Sequence, residues 1–158
     1  MQTNGLGSSS ALLKHRLAED RARADHLKKW PRVFFEEWDD PLISGIAWVS
    51  ELVEIAGGID IFADLRNQGA ARDRVVMAEE VVAREPDLII GSWCGKKFRP
   101  ERVAARPGFA QTSAVQRQDM YEIKSSLILQ PGPAALTDGL AELQKIIGRW
   151  AGLPFEEL

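Results

Sequence analysis

A short segment in the middle of the chain, residues 84–93, constrains the fold more than any other feature. Pro86 cannot continue a helix, and it disfavours the helical conformation at Glu85. The apolar run at residues 88–90 follows at once and is too short for a helix, so it is typical of a buried strand. A helix that ends directly before a buried strand predicts a parallel sheet, because parallel strands are joined by helices that cover the faces of the sheet.

The rest of the chain repeats this alternation. The predicted strands are residues 33–35, 74–76, 87–91 and 120–123, and the predicted helices are residues 11–29, 46–56, 77–84, 98–106 and 133–150. The sequence therefore predicts an α/β fold: a three-layer α/β/α domain with a mainly parallel sheet of four or five strands, preceded by a helix. We expect its core to contain Val33, Leu88, Ile89, Ile90 and Leu143.

Composition excludes several classes of protein. Of the 158 residues 45% are hydrophobic, which is enough for one compact core. The formal net charge is −3 with both signs interspersed, so the sequence offers no basic face to nucleic acid and no polybasic segment to a membrane. Cys94 is the only cysteine, which excludes an internal disulfide and a thiolate cluster.

The two ends differ in composition from the middle. Residues 1–10 are rich in Gly, Ser and Asn, and we predict a flexible linker or an expression remnant. The start lacks the basic and apolar regions of an export signal, so we expect no signal peptide in this chain. Residues 11–29 form a charged helix with only a thin apolar stripe, and residues 153–158 are predicted to be a tail.

Ligands of open parallel sheets bind beyond the carboxyl ends of the strands. This rule selects three segments, residues 36–41, 92–97 and 124–130. Trp38 and Trp93 lie in two of them at positions that we expect to be exposed, where large flat rings suit a large planar or macrocyclic ligand. The alternative is that both tryptophans only cap the core.

Charged residues in the same segments offer polar contacts but no catalytic pattern. Glu37 and Asp39 are two apart on a strand and could share a face, whereas adjacent carboxylates could not. Lys96 and Lys97 could meet carboxylates or phosphate on a ligand, or could be a solvated surface pair. The spacing of residues 91–97 does not fit a phosphate-binding loop, and we find no nucleophile with a histidine partner.

Histidines do not suggest a metal site either. His15 and His26 are three turns apart on the first predicted helix, too far to chelate one ion. We therefore expect no bound metal and no cofactor of the protein's own.

Several segments together resemble the substrate-binding proteins of ABC importers for cobalamin and iron complexes. They are the stretches PRVFFEEW at 31–38, GGIDIF at 57–62, EEVVAREPDLIIGSW at 79–93 and LILQPGP at 127–133. The resemblance covers residues 31–151 and matches the carboxyl-terminal lobe of a protein in which one long helix joins two lobes. It implies that residues 11–29 are the end of that helix, that residues 30–152 are the lobe, and that the amino-terminal lobe is absent.

The resemblance also implies sites and partners. Trp38, Trp93 and Lys124 match loops that face the ligand cleft, and with Glu37, Asp39 and Lys96 they form the predicted ligand-binding set. Glu79, eight residues before Asp87, matches a glutamate that docks with the membrane permease. Its alternative role is that of an acid favoured by the helix dipole in a first turn.

A corrinoid, a siderophore complex or heme could be the ligand, and the aromatic loops favour a corrinoid by analogy. The family implies a periplasmic location. Two other functions stay open: a small-molecule enzyme on a flavodoxin-like fold, and a stand-alone α/β module that acts through another chain or as a homodimer. We expect self-association through Trp38 and Trp93 if the second lobe is absent.

Overall fold

The computed structural model describes the backbone of residues 3–153 and the side chains of residues 11–153. The strands are β1 (Arg32–Asp39), β2 (Leu42–Ser44), β3 (Ile59–Asp60), β4 (Leu88–Gly91) and β5 (Met120–Glu122). The helices are α1 (Thr3–Asp25), α2 (Ala47–Ile55), α3 (Ala78–Ala83), α4 (Pro100–Ala104), α5 (Ser113–Gln116), α6 (Ser125–Ile128) and α7 (Leu140–Trp150). Short 3₁₀ turns lie at Ala63–Leu65, Ala71–Arg74 and Phe109–Gln111, and a π-helical turn at Ala135–Gly139 leads into α7.

The sheet is built around β1. On one side β1 pairs in parallel with β4, which in turn pairs in parallel with β5. On the other side the start of β1 pairs in parallel with β3, and its end forms an antiparallel hairpin with β2. The predicted mainly parallel sheet is confirmed: within residues 3–153 it has five strands, and β2 is the one that pairs antiparallel to β1.

Side chains from both faces of the sheet are buried under helices. Val33 and Leu88 face α2 and α7, whereas Phe34 and Ile89 face α3 and α4. The predicted core is confirmed, because Val33, Leu88, Ile89, Ile90 and Leu143 are completely buried. Burial on both faces explains why β4 is a continuous apolar run rather than an alternating one.

Helix α1 packs along α2 through its final turns. Ala24 is buried there, and Leu17 and Leu27 contact the same core. The helix begins at Thr3, so the flexible linker predicted for residues 1–10 is wrong over residues 3–10, because an existing helix extends at little cost once nucleated. Residues 1–2 of that prediction, and residues 154–158 of the predicted tail, lie outside the described residues.

Two short strands differ from the prediction. The expected strand at residues 74–76 is only a single bridge between Val75 and Ile43, and the strand that runs beside β1 is β2. The two residues of β3, Ile59–Asp60, lie outside all of the predicted strands. Strands of two or three residues carry too little periodicity to be distinguished from loops.

Glycines mark two places where the chain needs special geometry. Gly57 has a φ of +100° and follows the end of α2 in the positive-φ conformation that favours glycine. A Cβ at Gly139 would lie 2.7 Å from the carbonyl oxygen of Leu127, so the glycine allows a close approach to α6. The π-helical turn ends at this contact.

The described helices do not have the features of a membrane-spanning segment. Between residues 3 and 153, no helix combines the length and the apolar character needed to cross a bilayer.

Candidate functional site

The carboxyl ends of the three parallel strands β1, β4 and β5 meet at one edge of the sheet. Glu36 pairs with Gly91, and Gly91 pairs with Glu122, so the segments that follow the three strands start side by side. This edge is where the sequence placed its candidate site. The three segments differ in how much of their side-chain surface they expose.

Four of the predicted ligand-binding residues form one contact group, which we call the Lys96 cluster: Trp38, Asp39, Trp93 and Lys96. The Lys96 Nζ atom lies 2.6 Å from Asp39 Oδ2. It also lies 5.2 Å from the centre of the Trp38 ring and 5.4 Å from the centre of the Trp93 ring, within reach of a cation–π contact to both. One ammonium group therefore joins the ends of β1 and β4.

The two tryptophans of this cluster differ in exposure. Trp38 is half-buried, and its Nε1 donates a hydrogen bond to the carbonyl of Asp40 at 3.1 Å. Trp93 is only 3% exposed and packs edge to face on Phe98 with ring centres 5.1 Å apart. The prediction of an exposed position is wrong for Trp93, because the ring is covered by core packing, and the alternative that it caps the core describes it better.

A buried carboxylate lies beneath Trp93. Glu36 is completely buried, and its Oε1 accepts a hydrogen bond from Trp93 Nε1 at 3.0 Å. Arg106 forms a two-point contact with the same carboxylate at 2.7 and 3.0 Å. Burial raises the pKa of Glu36, while the hydrogen bonds and charge of Arg106 and the bond from Trp93 oppose that rise.

Sequence reasoning missed Arg106, which is 70 residues from Glu36. A signal did exist: strand alternation places Glu36 on the same buried face as Phe34, and a buried carboxylate requires a cationic or hydrogen-bonding partner. The sequence could not identify which of the arginines supplies it.

Glu37 makes different contacts from the rest of the predicted set. Its Oε1 accepts a hydrogen bond from the backbone N–H of Ile46 at 2.7 Å, and its Oε2 lies 3.2 Å from Arg74 Nη1. Glu37 and Asp39 therefore contact different cations, Arg74 and Lys96 respectively. The register of β1 against β2 shifts between Glu36 and Trp38, which breaks the simple alternation.

Lys124 lies across an open pocket from the Lys96 cluster. The pocket has a volume of about 440 Å³ and lies between the segments that follow β4 and β5. Its lining consists of Trp93, Gly95, Lys96, Lys97, Glu122, Ile123, Lys124, Ser125 and Ser126. The structure thus brings Lys124 to the same edge as Trp93 and Lys96.

A larger cavity lies at the opposite end of the sheet. It measures about 570 Å³ and is lined in part by Lys28, Lys29, Arg117 and Trp150. Lys28 and Lys29 precede β1, Arg117 precedes β5 and Trp150 ends α7, so the cavity is at the amino-terminal ends of the strands. Ligands of open α/β sheets bind at the other edge, and we therefore place the candidate site at the carboxyl ends.

Glu79 is exposed on the first turn of α3, away from the ion pairs of the described side chains. Its neighbour Glu80 instead closes the start of the helix by accepting a hydrogen bond from the Met77 N–H at 3.3 Å. The cap of α3 therefore does not use the Glu79 carboxylate.

The described side chains do not form a metal-binding cluster. Within residues 11–153, no group of three His, Cys, Asp or Glu residues could hold an ion. His15 pairs with Glu19 at 3.0 Å on α1, and Cys94 is exposed in the segment after β4.

A three-layer α/β fold with an aromatic and cationic edge at its strand ends is typical of small-molecule binding domains. Residues 10–127 match the family described as periplasmic binding protein. The chain therefore belongs to the periplasmic binding protein family.

Solved structures share this fold. The periplasmic vitamin B12 binding protein BtuF of Vibrio cholerae is 23% identical with a TM-score of 0.63, and the match covers 87% of this chain and 51% of that one. A possible iron-binding protein from Staphylococcus epidermidis is 22% identical with a TM-score of 0.71, covering 87% and 52%. The periplasmic heme-binding protein RhuT from Roseiflexus sp. RS-1 is 21% identical with a TM-score of 0.63, covering 87% and 54%.

The chain spans about half the length of these solved structures. No curated protein sequence matches it.

Proposed function

We propose that this chain is the carboxyl-terminal lobe of the substrate-binding protein of an ABC importer, and that it presents cobalamin or an iron complex to the membrane permease. The observation that carries the proposal is the Lys96 cluster beside the pocket that contains Lys124. The cluster places the half-buried ring of Trp38 beside the ammonium group of Lys96, with Lys124 across the pocket, at the edge where α/β domains bind ligands.

The ligand would be held between this lobe and an amino-terminal lobe. Support comes from the family and from the length, since solved members are about twice as long as the match. In this arrangement α1 is the end of the helix that joins the lobes. The second lobe, the ligand and a permease are the partners of the proposal, and the family name supports a periplasmic location.

The predicted residues would have different roles. Trp38 and Lys96 are the groups with the most accessible surface in the cluster and would touch the ligand, together with Lys124. Trp93 and Glu37 are engaged by packing and by internal bonds, so they would position the contacting groups. Glu79 would dock with the permease from its exposed position on α3.

Binding without catalysis is part of the proposal, as it is of the family. Self-association at the same edge stays a prediction, and Trp38 would contribute more to it than the buried Trp93.

Titration followed by absorbance tests the function. We expect the 158-residue chain to bind cyanocobalamin or hemin saturably but weakly, with a dissociation constant above about 1 µM, because half of the contacts are missing while the ligand still loses its translational freedom. Trp38→Ala should weaken binding further by removing the aromatic face.

Trp30→Ala is the matched control, because Trp30 precedes β1 and lies at the opposite end of that strand. Equal losses for both variants, or no saturable binding of any metal complex, would contradict the proposed site and function. A submicromolar constant for the monomer would contradict the half-cleft arrangement.

A further inference from the structure

The pocket between the segments after β4 and β5 has an unbalanced charge. Lys96, Lys97 and Lys124 line it, against the single carboxylate of Glu122. Lys96 is paired with Asp39, but among the described side chains neither Lys97 nor Lys124 forms an ion pair. The lysines therefore keep the surroundings of the pocket positive.

Among the described side chains Glu122 forms no ion pair with these lysines, and its one negative charge is outnumbered by theirs. Its Oε2 accepts a hydrogen bond from the backbone N–H of Phe98 at 2.8 Å, which ties the carboxylate to the segment after β4. The remaining polar lining includes the hydroxyl groups of Ser125 and Ser126, which can donate hydrogen bonds. Ammonium and hydroxyl donors together suit an oxyanion, such as a carboxylate or a phosphate group.

We propose that this pocket, bounded by Lys96, Lys97, Lys124 and Ser125, is a subsite for an oxyanion group on the ligand. The transported compound is then an anionic metal complex with carboxylate or phosphate groups at its rim, in preference to a neutral one. This inference rests on the proposed function for the identity of the ligand, although the pocket itself can be tested alone.

The position of Lys96 connects the subsite to the aromatic surface. Lys96 lines the pocket and also lies 5.2 Å from the ring centre of Trp38. A flat complex that covers Trp38 would therefore bring its edge to Lys96. A charged arm on that edge would reach the pocket, whose volume of about 440 Å³ has room for it.

Small anions test the subsite without a metal complex. Citrate and inorganic phosphate, titrated separately into the 158-residue chain, should shift the NMR amide signals of residues 95–97 and 124–126. A stronger response to citrate would identify carboxylate as the preferred group, and a stronger response to phosphate would identify phosphate. We expect Lys97→Gln and Lys124→Gln each to raise the dissociation constant about threefold, as for an exposed charge pair.

Lys145→Gln is the matched control, because Lys145 is an exposed lysine of α7 outside the pocket. It should leave both titrations unchanged. High salt should weaken the binding of citrate and phosphate to the original chain more than their binding to the double variant Lys97→Gln/Lys124→Gln.

Hemin and hemin dimethyl ester test the preference for an anionic complex, because they share a ring and differ in their free carboxylates. Hemin should bind at least about threefold more tightly, and the double variant should abolish this difference. Equal binding of the two compounds, with no anion-induced shifts at the pocket, would overturn the inference and leave the proposed function standing.

Another combination of results would distinguish the oxyanion site from the proposed function. Anion binding at the pocket without binding of any metal complex would keep the oxyanion site and overturn the ligand class and the proposed function. Neither kind of binding would overturn both.

Discussion

A single buried carboxylate organises the base of the candidate site. Glu36 holds Trp93 through one hydrogen bond and Arg106 through two. The centre of the Trp93 ring in turn lies 5.4 Å from Lys96 Nζ. The Lys96 cluster is therefore supported from below by the buried Glu36–Arg106 pair. A charge in a protein interior is tolerated only while its partners remain, which makes this group sensitive to substitution.

Arg106→Met should destabilise the protein by about 3 kcal/mol, because it leaves the Glu36 carboxylate buried without its cationic partner. Urea unfolding measures the loss. Arg102→Met is the control, since Arg102 is an exposed residue of α4. Equal effects of the two substitutions would mean that the Glu36–Arg106 pair does not stabilise the fold.

A pH-dependent contribution is expected from Asp64, in the 3₁₀ turn Ala63–Leu65, which pairs with Arg84 at the end of α3. The hydrogen bond and charge of Arg84, 2.7 Å away, lower the pKa of this carboxyl group. The folded state therefore stabilises the ionised form, and this contribution is present above the ordinary aspartate pKa of about 3.9 and is lost as the pH falls through the folded pKa. Because the pair is exposed, its size should be below about 1 kcal/mol.

Asp64→Asn should lower the free energy of unfolding slightly at neutral pH, and the difference from the original chain should shrink as the pH falls from about 5 to about 3. Urea unfolding across this range provides the measurement. Asp73→Asn replaces an exposed aspartate without an ion pair among the described residues and serves as control. A difference that grows on acidification would reverse the sign and refute the assignment.

At the scale of elements, the turn before α7 depends on close packing against α6. Gly139→Ala would gain about 1 kcal/mol in helix propensity, but its Cβ would lie 2.7 Å from the Leu127 carbonyl oxygen. Backbone cannot move aside easily, and overpacking costs about 1–3 kcal/mol, so we expect a net loss of about 1 kcal/mol. Thermal unfolding followed by circular dichroism measures it.

Gly69→Ala supplies the comparison, because Gly69 has open space around its Cβ position. Its effect should stay within about 0.5 kcal/mol of zero. Stabilisation by Gly139→Ala would show that the contact with Leu127 is looser than described.

The elements that could be predicted are those whose signal is local. Pro86 and the following apolar run identify β4, and the period of Leu140, Leu143 and Ile147 identifies α7. The two-residue β3 and three-residue β2 carry no such signal, because their existence depends on pairing with β1. Their positions are set by tertiary structure.

The candidate site was predictable in location but not in detail. Trp38 lies near the end of β1 and Lys96 follows β4, and both strands are visible in the sequence, so the edge could be inferred. The burial of Trp93 depends on the ring of Phe98, and the Glu36–Arg106 pair joins segments 70 residues apart. Such contacts are decided by side-chain packing, which a periodic pattern does not encode.

For the whole molecule, the two ends of the sheet are chemically distinct. The carboxyl-terminal edge combines Trp38 with Lys96 and the oxyanion pocket, whereas the amino-terminal edge carries the larger cavity near Arg117. If cavity volume alone decided where the ligand binds, the amino-terminal edge would be the site. The central claim is that the ligand lies instead at the carboxyl ends of β1, β4 and β5.

Hydrogen–deuterium exchange of the 158-residue chain with and without saturating hemin tests this claim most directly. We expect slower exchange in peptides that cover residues 38–41, 92–97 and 124–128, with no change at residues 26–30 and 116–118. Protection confined to residues 26–30 and 116–118, or no protection anywhere at saturation, would contradict it.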